Sequence, residues 1–387
     1  MIYDWQGKRG RGIVNNQKYQ ICTRCIMDTT DPEIRFNQDG ICNHCRQYDK
    51  IARERLFTED VAREKLNQII TKIKKKGKNK QYDCLMGVSG GVDSTYVIYN
   101  LKKLGLRPLA VHVDNGWNTQ LADNNIKKIL QKLNIDLYTY VLDSKEFKDL
   151  QLSFLKASVP DLEIPTDHAI VSALMQVAAE NDIQYIISGT NIATEIILPR
   201  QWSHGHADWR YIKSVHNMFG KYPLKKYPHL SLNNIINYTF IKGQRFIHFL
   251  NYINYNKDEA MRVLQDELDW QYYGGKHYES IYTRFVQGYI LPKKFNFDKK
   301  RAHLSNLICS IQMTRAEAIK FISEEDYSLE LQEEDRKALI NKFELTEDEF
   351  EDLLHLPNRS FWDYPSYEKI PFIEIAKNLY RKYIHKQ

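Results

Sequence analysis

From Tyr82 to Asn191 the chain alternates short apolar runs with longer amphipathic stretches, and this alternation restricts the fold more than any other feature. Four runs, YDCLMGV, RPLAVHVDN, DLYTYVLD and QYIISGTN, are separated by helical patterns. Strands alternating with helices of roughly 10–17 residues predict βαβ units and a mostly parallel sheet with helices on both faces. We therefore expect an α/β fold with a doubly wound sheet.

Three of these runs end in polar or glycine-containing loops: MGVSGGVDS, AVHVDNGW and IISGTNIATE. In a parallel sheet the carboxyl ends of the strands share one edge, and ligands bind beyond that edge. The sequence therefore predicts that these loops come together at a ligand site.

The chain divides into four predicted segments. Residues 1–50 form a cysteine-containing, turn-rich module, and 51–80 a basic linker with a helical pattern at Thr58–Ile73. Residues 81–200 carry the α/β domain, and 201–387 a mainly helical C-terminal region. Two capping-box spacings, Thr314 with Glu317 and Thr346 with Glu349, predict helix starts in that region.

Four of the six cysteines form two C-x-x-C pairs, Cys22 with Cys25 and Cys42 with Cys45. The 16 residues between the pairs fall within the spacing of about 15–20 that is typical of zinc sites. Four thiolates suit a closed, structural zinc site in a zinc-ribbon-like module. An iron–sulfur cluster and redox thiols are the alternatives, and His44 is the alternative ligand.

Charge and hydropathy restrict the compartment and the partners. No apolar run reaches the roughly 18–20 residues that span a bilayer, and the first residues lack a signal-peptide pattern. We therefore expect a cytoplasmic protein without membrane insertion. The net charge is +6, but residues 1–80 alone hold 18 Lys/Arg against 10 Asp/Glu. Because the basic surplus belongs to the N-terminal end, it does not by itself argue for a nucleic-acid partner.

The segment Ser89-Gly90-Gly91-Val92-Asp93-Ser94 lies between a predicted strand and a predicted helix. Backbone N–H groups at such a helix start bind phosphate, and glycines let the ligand approach the backbone closely. An ordinary strand-to-helix turn is the alternative for a bare Ser-Gly-Gly, and the longer match in this setting favours a phosphate loop.

This segment resembles the pyrophosphate loop of the PP-loop ATP pyrophosphatase superfamily, and Gly189–Glu195 is similar to the GTDxxAE segment of ammonia-dependent NAD synthetases. The resemblance implies ATP and Mg²⁺ as cofactors. The ATP-binding residues would be Ser89, Gly90, Gly91, Val92, Asp93, Ser94, Gly189, Thr190 and Glu195, with adenine against the backbone of Val111 and Val113. Asp93 and Glu195 would bind the magnesium ion.

A narrower resemblance covers almost the whole chain. Several segments resemble the N-acetyl sugar amidotransferases of bacterial surface-polysaccharide and nonulosonic-acid pathways, lipopolysaccharide O-antigen synthesis among them. These segments are CTRCIMDTTDPEI with CNHC, SGGVDS, PTDHAI, SGTNIATE and the long block YYGGKHYESIYTRFVQGYILPKKFNFDKKRAHLSNLI. Those enzymes convert an acetamido group on a sugar into an acetamidino group. The chain departs from the pattern at Ile311, where a glycine is expected.

This resemblance implies attack of the acetamido oxygen on ATP and displacement of AMP by ammonia. The expected catalytic residues are Asp93, Ser94, Glu195 and Lys293. Lys294, Lys213, Lys221 and Arg284 are further basic candidates, Asp167 is either a helix cap or a site residue, and His204 with His206 is a weak metal pattern.

The ammonia source is expected to be a separate glutaminase subunit. A glutaminase needs a nucleophilic cysteine, whereas Cys84 and Cys309 lie in apolar stretches typical of a protein core. Two alternatives remain open. A tRNA 2-thiolation enzyme shares zinc-ribbon cysteines and the same loop but carries further cysteines near the ATP site. The other alternative is a non-catalytic nucleotide- or RNA-binding scaffold, against which the retained loop and Glu195 argue.

Overall fold

The computed structural model describes residues 18–275, 278–324 and 327–370. Its five strands are β1 (Cys84–Gly87), β2 (Pro108–Asp114), β3 (Leu137–Val141), β4 (Tyr185–Ser188) and β5 (Arg245–His248). They form one sheet in the order β3-β2-β1-β4-β5, and every neighbouring pair is parallel. The predicted fold class is confirmed.

The helices up to the end of the α/β core are α1 (Asn43–Arg55), α2 (Glu59–Lys76), α3 (Val92–Lys103), α4 (Gln120–Leu133), α5 (Ser144–Ala157), α6 (Ile164–Glu180) and α7 (Ile192–Glu195). The later helices are α8 (Trp209–Phe219), α9 (Leu232–Ile236), α10 (Lys257–Leu268), α11 (Ile281–Phe285), α12 (Lys299–Cys309), α13 (Arg315–Ser323), α14 (Leu329–Phe343) and α15 (Glu347–His355). Two π-helical stretches, Asn237–Ile241 and Val286–Phe295, extend α9 and α11.

Both faces of the sheet are covered by helices, as a doubly wound fold requires. Alternate residues of β1 point to opposite faces. Met86 packs with apolar residues of α2, α3, α4 and α10, whereas Leu85 packs with residues of α6. Both side chains are fully buried. The near-continuous apolar pattern of β1 in the sequence reflects this two-sided burial.

The fifth strand comes from the segment that the sequence assigned to the helical C-terminal region. Residues 245–248 pair in parallel with β4 and close one edge of the sheet. The sheet therefore extends past the predicted boundary at residue 200. The strand has no fully buried residue. It is short and half-exposed, so the sequence does not distinguish it from the aromatic, basic stretch around it.

The cysteine module packs against the C-terminal region. Cys22, Cys25, Cys42 and Cys45 share a buried cluster with Trp202 and with residues of α12. Arg315 at the start of α13 donates hydrogen bonds to the carbonyl oxygens of Cys22 and Cys25. The module is therefore integrated with the body of the protein on the side where α12 lies.

Candidate active site

The order of the sheet places two predicted loops side by side. From β1 the chain adds β2 and then β3 on one side of β1, and then adds β4 and β5 on its other side. The strand order therefore reverses between β1 and β4, and a crevice opens beyond their carboxyl ends. The loop after β1 is Ser89–Ser94, and the loop after β4 leads through Gly189 to Glu195.

The loop after β1 has the geometry that suits a phosphate group. Ser89 and Ser94 bring their hydroxyl oxygens to 3.3 Å from each other, and the Gly91 N–H donates to the Ser89 hydroxyl at 3.3 Å. No side chain caps the N-terminus of α3. Gly90 adopts φ +80°, and a Cβ there would lie 2.8 Å from the Ala122 carbonyl oxygen, so the loop requires glycine.

The two loops touch where Gly189 faces the start of α3. A Cβ on Gly189 would lie 3.1 Å from the Ser94 backbone nitrogen and 3.2 Å from the Asp93 carbonyl carbon. The missing side chain therefore allows the backbone of the second loop to lie directly against the first.

Together these loops and elements of the C-terminal region line an open cleft. Eight of the predicted ATP-binding residues line it: Ser89, Gly91, Val92, Asp93, Ser94, Gly189, Thr190 and Glu195. Gly90 lies beneath the cleft, where its carbonyl oxygen accepts a hydrogen bond from the Trp270 indole at 2.9 Å. The structure therefore brings most of the predicted ATP-binding residues to one cleft.

The two predicted magnesium ligands, Asp93 and Glu195, line the same cleft. Asp93 accepts a hydrogen bond from the Tyr255 hydroxyl. Burial raises the pKa of Tyr255, and the nearby carboxylates of Asp93 and Glu195 raise it further. The phenol therefore stays protonated and can only donate to Asp93. Paired carboxylate oxygens are the donor set that Mg²⁺ takes beside substrate phosphates, so these residues fit the ion.

Thr190 is held by two side-chain contacts. Its hydroxyl lies 2.8 Å from the Ser188 hydroxyl and 2.7 Å from Nδ1 of His248. Burial lowers the pKa of His248, so the ring is neutral near pH 7. The strand that sequence reasoning missed thus supplies a residue that orients the Gly189 loop.

The cleft contains residues that the sequence did not single out: Lys257, Tyr272, Tyr273, Glu279 and His303. Lys257 is the first residue of α10, and Tyr273 and Glu279 come from the connection that follows α10. All of them except Lys257 lie within the long block that carries the narrower resemblance, but nothing in that block marks them individually as cleft residues. Lys257 and the residues after α10 reach the cleft because α10 packs on α3, whereas His303 lies on α12.

The structure does not bring Lys293 to the cleft, which corrects its predicted catalytic position. Its ammonium group donates to the hydroxyl of Tyr289 at 2.7 Å on the same helical stretch. Among the described residues, Lys257 is the lysine that lines the cleft. Four-residue spacing on a helix explains the Lys293 contact, since such side chains are neighbours on one face.

The other basic candidates also lie in structural contacts or on the surface. Arg284 forms a bidentate pair with the buried Asp335, both contacts at 2.7 Å. Lys294 donates to three backbone carbonyls at the end of α15. Lys213 and Lys221 are exposed.

Val111 and Val113 do not line the cleft. Val111 is 1% exposed, and its carbonyl oxygen accepts a hydrogen bond from Val88. The His112 ring joins the Val88 carbonyl to the Asn118 side chain, at 3.0 and 2.9 Å. The adenine position therefore stays a prediction.

Asp167 lies in the first turn of α6 after the N-cap residue Glu163, so it is not the helix cap. Although the residue is exposed, desolvation by the surrounding protein atoms raises the pKa of Asp167, and the carboxylates of Glu163 and Asp161 raise it further. His204 pairs with Glu368 at 3.1 Å. Within the described chain, neither His204 nor His206 belongs to a group of side chains that could hold a metal.

The four cysteines of the two C-x-x-C pairs form a candidate metal centre. All their sulfur atoms lie within 4.8 Å of one another. The Cys22–Cys45 and Cys25–Cys42 sulfur distances are 3.9 and 3.7 Å. Sulfurs placed tetrahedrally at about 2.3 Å from zinc would be about 3.8 Å apart. Backbone N–H groups of Cys25 and Met27 also donate to these sulfurs, so the residues fit a zinc ion.

A fifth sulfur lies beside this centre. Cys309, expected to be only a core residue, is 6% exposed, and its thiol contacts the Cys45 sulfur at 3.7 Å. Cys84 is buried in β1 with no exposed surface, and burial raises its pKa. His44 pairs instead with Asp31 at 2.6 Å, so it is not directed at the cysteine sulfurs.

No helix within the described ranges is both long and apolar enough to cross a membrane.

Comparisons with known proteins agree with this architecture. Residues 279–380 match the family model of the C-terminal domain of WbpG-like LPS biosynthesis proteins. A 7-cyano-7-deazaguanine synthase of Sulfurimonas denitrificans is 29% identical over 124 residues, which cover 29% of this chain and 54% of that protein. A tRNA(Ile)-lysidine synthase of Chlamydia pneumoniae is 31% identical over 70 residues, covering 18% of this chain and 22% of that protein. The chain thus spans about half the length, or less, of these curated relatives.

Among solved structures, an NH3-dependent NAD synthetase from Campylobacter jejuni aligns with a TM-score of 0.29 and 16% identity, covering 53% of this chain and 84% of its own. An NMN synthetase from Francisella tularensis aligns with a TM-score of 0.28 and 15% identity, covering 54% and 94%. Residues 279–380 are therefore similar to the WbpG-like C-terminal domain, and shorter parts of the chain are similar to the two curated synthases.

Proposed function

We propose that this protein is an ATP-dependent amidotransferase that converts an acetamido group of a nucleotide-linked sugar into an acetamidino group. One observation carries the proposal: the phosphate-binding loop after β1 and the carboxylates of Asp93 and Glu195 line a single cleft at the reversal of the sheet. The WbpG-like match supports a sugar of lipopolysaccharide synthesis as the substrate.

The chemistry requires activation of a poor electrophile. An amide carbonyl loses its oxygen only when that oxygen becomes part of a good leaving group. In the proposed reaction the acetamido oxygen attacks the α-phosphate of ATP, the bond to the β-phosphate breaks, and pyrophosphate leaves. Ammonia then adds to the imidate carbon, AMP departs with the oxygen, and the nitrogen loses a proton to give the amidine.

The residues of the cleft have distinct proposed roles. The Ser89–Ser94 loop binds the departing pyrophosphate through its N–H and hydroxyl groups. Asp93 and Glu195 would hold magnesium, which neutralises charge on the phosphates when bound. Lys257 lines the cleft and adds a cation on the α10 side. Positioning and electrostatic stabilisation are the main demands of phosphoryl transfer.

Ammonia is proposed to come from a separate glutaminase subunit. Glutamine hydrolysis needs an accessible, activated thiolate. Cys84 and Cys309 are both buried, and the other four cysteines form the candidate metal centre. Ammonium salts are therefore expected to support the reaction of the isolated chain, whereas glutamine alone is not.

The test is an incubation with ATP, magnesium, ammonium and a panel of nucleotide-linked diacetamido sugars. AMP, pyrophosphate and the mass of the sugar are measured together. Exchange of one oxygen for NH, with equal amounts of AMP and pyrophosphate, supports the proposal. Asp93→Asn should lose this exchange, while the exposed neighbour of Lys257, Asp258, should tolerate the same change (Asp258→Asn).

Two other outcomes would overturn the proposal. Thiolated tRNA formed with a sulfur donor, with every sugar unchanged, would identify a tRNA 2-thiolation enzyme. Failure to release AMP with any sugar or tRNA would identify a nucleotide- or RNA-binding scaffold.

A further inference from the structure

Helix α12 lies between the candidate metal centre and the loop that carries Glu195. On one side the Ser305 hydroxyl accepts the Ile26 N–H at 3.2 Å, next to the first cysteine pair. The Cys309 thiol contacts the Cys45 sulfur on the same side. One surface of α12 is therefore fixed by the cysteine module.

The other surface of α12 holds the Glu195 loop through Asn306. This side chain is fully buried. Its Oδ1 accepts the N–H groups of Ile196 and Ile197 at 2.9 and 2.8 Å. Its Nδ2 donates to the Ile192 carbonyl at 3.0 Å. The Asn306 side chain therefore forms hydrogen bonds with the backbone on both sides of Glu195.

The loop depends on this support because its own helix is short. Helix α7 spans only the 4 residues Ile192–Glu195, and a helix of one turn is not stable by itself. His303, one turn before Asn306, adds a contact from its ring to the Thr194 carbonyl at 3.2 Å. The backbone that carries Glu195 is therefore held in part by α12.

We infer that Asn306 is a positioning residue for Glu195, and that the metal-bound cysteine module fixes α12 and so maintains that position. The inference rests on the proposed function, since it assigns Glu195 to the divalent ion of the nucleotide. It gives the cysteine module a role in the reaction although none of its cysteines lines the cleft.

The test measures divalent-ion affinity instead of turnover. Mn²⁺ binding is titrated in the presence of α,β-methylene-ATP, a nucleotide that cannot be cleaved at the reacting bond. Asn306→Ala should weaken Mn²⁺ binding about 10–100-fold, the usual effect of removing a group that orients a metal ligand. Zinc content should stay that of the wild type, because Asn306 contacts no cysteine.

Two variants provide matched controls. Asn306→Asp keeps both acceptor contacts, and when protonated it also keeps the donor to Ile192, so it should restore most of the affinity. Ser153 is similarly buried, but it lies on α5, where its hydroxyl donates to the Asp149 carbonyl of the same helix. Ser153→Ala should leave Mn²⁺ affinity unchanged.

A second measurement uses the wild-type chain and does not depend on a variant that folds. Removal of zinc should accelerate hydrogen exchange of the Ile196 and Ile197 amides, while the amides of β1 stay protected.

The outcomes separate this inference from the proposed function. If the wild type binds no Mn²⁺ with the nucleotide, the proposed function is wrong. If it binds, and Asn306→Ala binds within about twofold of it, Asn306 does not position Glu195. Unchanged exchange at Ile196 and Ile197 after zinc removal would contradict the link through α12.

Discussion

Ile311 is a branched residue in a backbone conformation that favours glycine. Helix α12 ends in a Schellman motif, in which the N–H of Gln312 bonds the Leu307 carbonyl and that of Ile311 bonds the Ile308 carbonyl. Ile311 has φ +62° and is 93% exposed. The family resemblance expects glycine at this position, and the structure supplies the physical reason.

We predict that Ile311→Gly stabilises the protein. The left-handed conformation costs a branched residue about 1–2 kcal/mol, while glycine adds backbone entropy to the unfolded chain, so the net gain should be about 1 kcal/mol. Urea unfolding measures it. Ile319→Gly, at a 40% exposed position inside α13, should instead lower stability. A loss of stability in both variants would refute the argument.

His168 is a buried, neutral histidine in the second turn of α6. Its Nδ1 donates to the His206 carbonyl at 2.7 Å, and its Nε2 accepts the Leu230 N–H at 3.0 Å. Burial lowers its pKa from 6.5 to about 4. The unfolded chain therefore binds a proton at a pH where the folded chain does not.

This difference predicts a loss of stability as the pH falls from about 6.5 towards 4. The loss from this group should be about 2 kcal/mol at about pH 5, and stability above neutrality should not depend on it. Urea unfolding near neutral pH and near pH 5 measures the change. His168→Gln should reduce the pH dependence, whereas exposed His355→Gln should keep it; equal pH dependence in all three proteins would contradict the prediction.

At the scale of elements, local sequence patterns predicted helix starts and the loop after β1. They did not predict features that depend on contacts between distant parts of the chain. Both capping boxes are confirmed, since Thr314 and Thr346 cap α13 and α15. The phosphate loop was recognisable because a strand, a glycine turn and a helix follow one another. Strand β5 and the Asn306 contacts were not, because their partners lie far away in the chain. Lys293 was predicted to be catalytic because the phosphate chemistry needs basic side chains, but the sequence does not show which lysine reaches the cleft.

The contact between the loops after β1 and β4 yields a prediction at this scale. Gly189→Ala places a methyl group against the Ser94 and Asp93 backbone, and such overpacking costs about 1–3 kcal/mol. The loops should separate, and AMP formation should fall about 5–150-fold if the same cost is added to the reaction barrier.

Gly87→Ala on β1 is the matched control. There the added Cβ meets Leu174 Cδ1 at 3.1 Å, the end of a flexible side chain. AMP formation should therefore change much less. Equal activity in the two variants would show that the contact between the loops is not required.

At the scale of the molecule, the cysteine module and the C-terminal region form a single packed unit. Cysteine sulfurs, Trp202 and residues of α12 share one buried cluster. Ile26 packs with Leu304 and Leu307 in a neighbouring one. A metal ion in the cysteine centre therefore stabilises more than the module that supplies its ligands.

We predict that zinc removal lowers the melting temperature of the whole chain in one cooperative transition. Calorimetry with and without a chelator measures this. Cys42→Ser should lose the metal and show the lowered melting temperature without a chelator. Cys309→Ser should retain a full zinc complement, because four other sulfurs complete the tetrahedron. Metal retained by Cys42→Ser, or a melting temperature indifferent to the chelator, would refute this role.

The contact between Cys45 and Cys309 also sets an order of events during synthesis. The two residues are separated by 264 positions, and a ribosome adding about 5–20 residues per second needs roughly 13–53 s to cover them. The four cysteines therefore emerge long before α12 can close over Cys45. In that interval α12 does not yet cover the four cysteines, so a metal ion can reach them before the fold is complete.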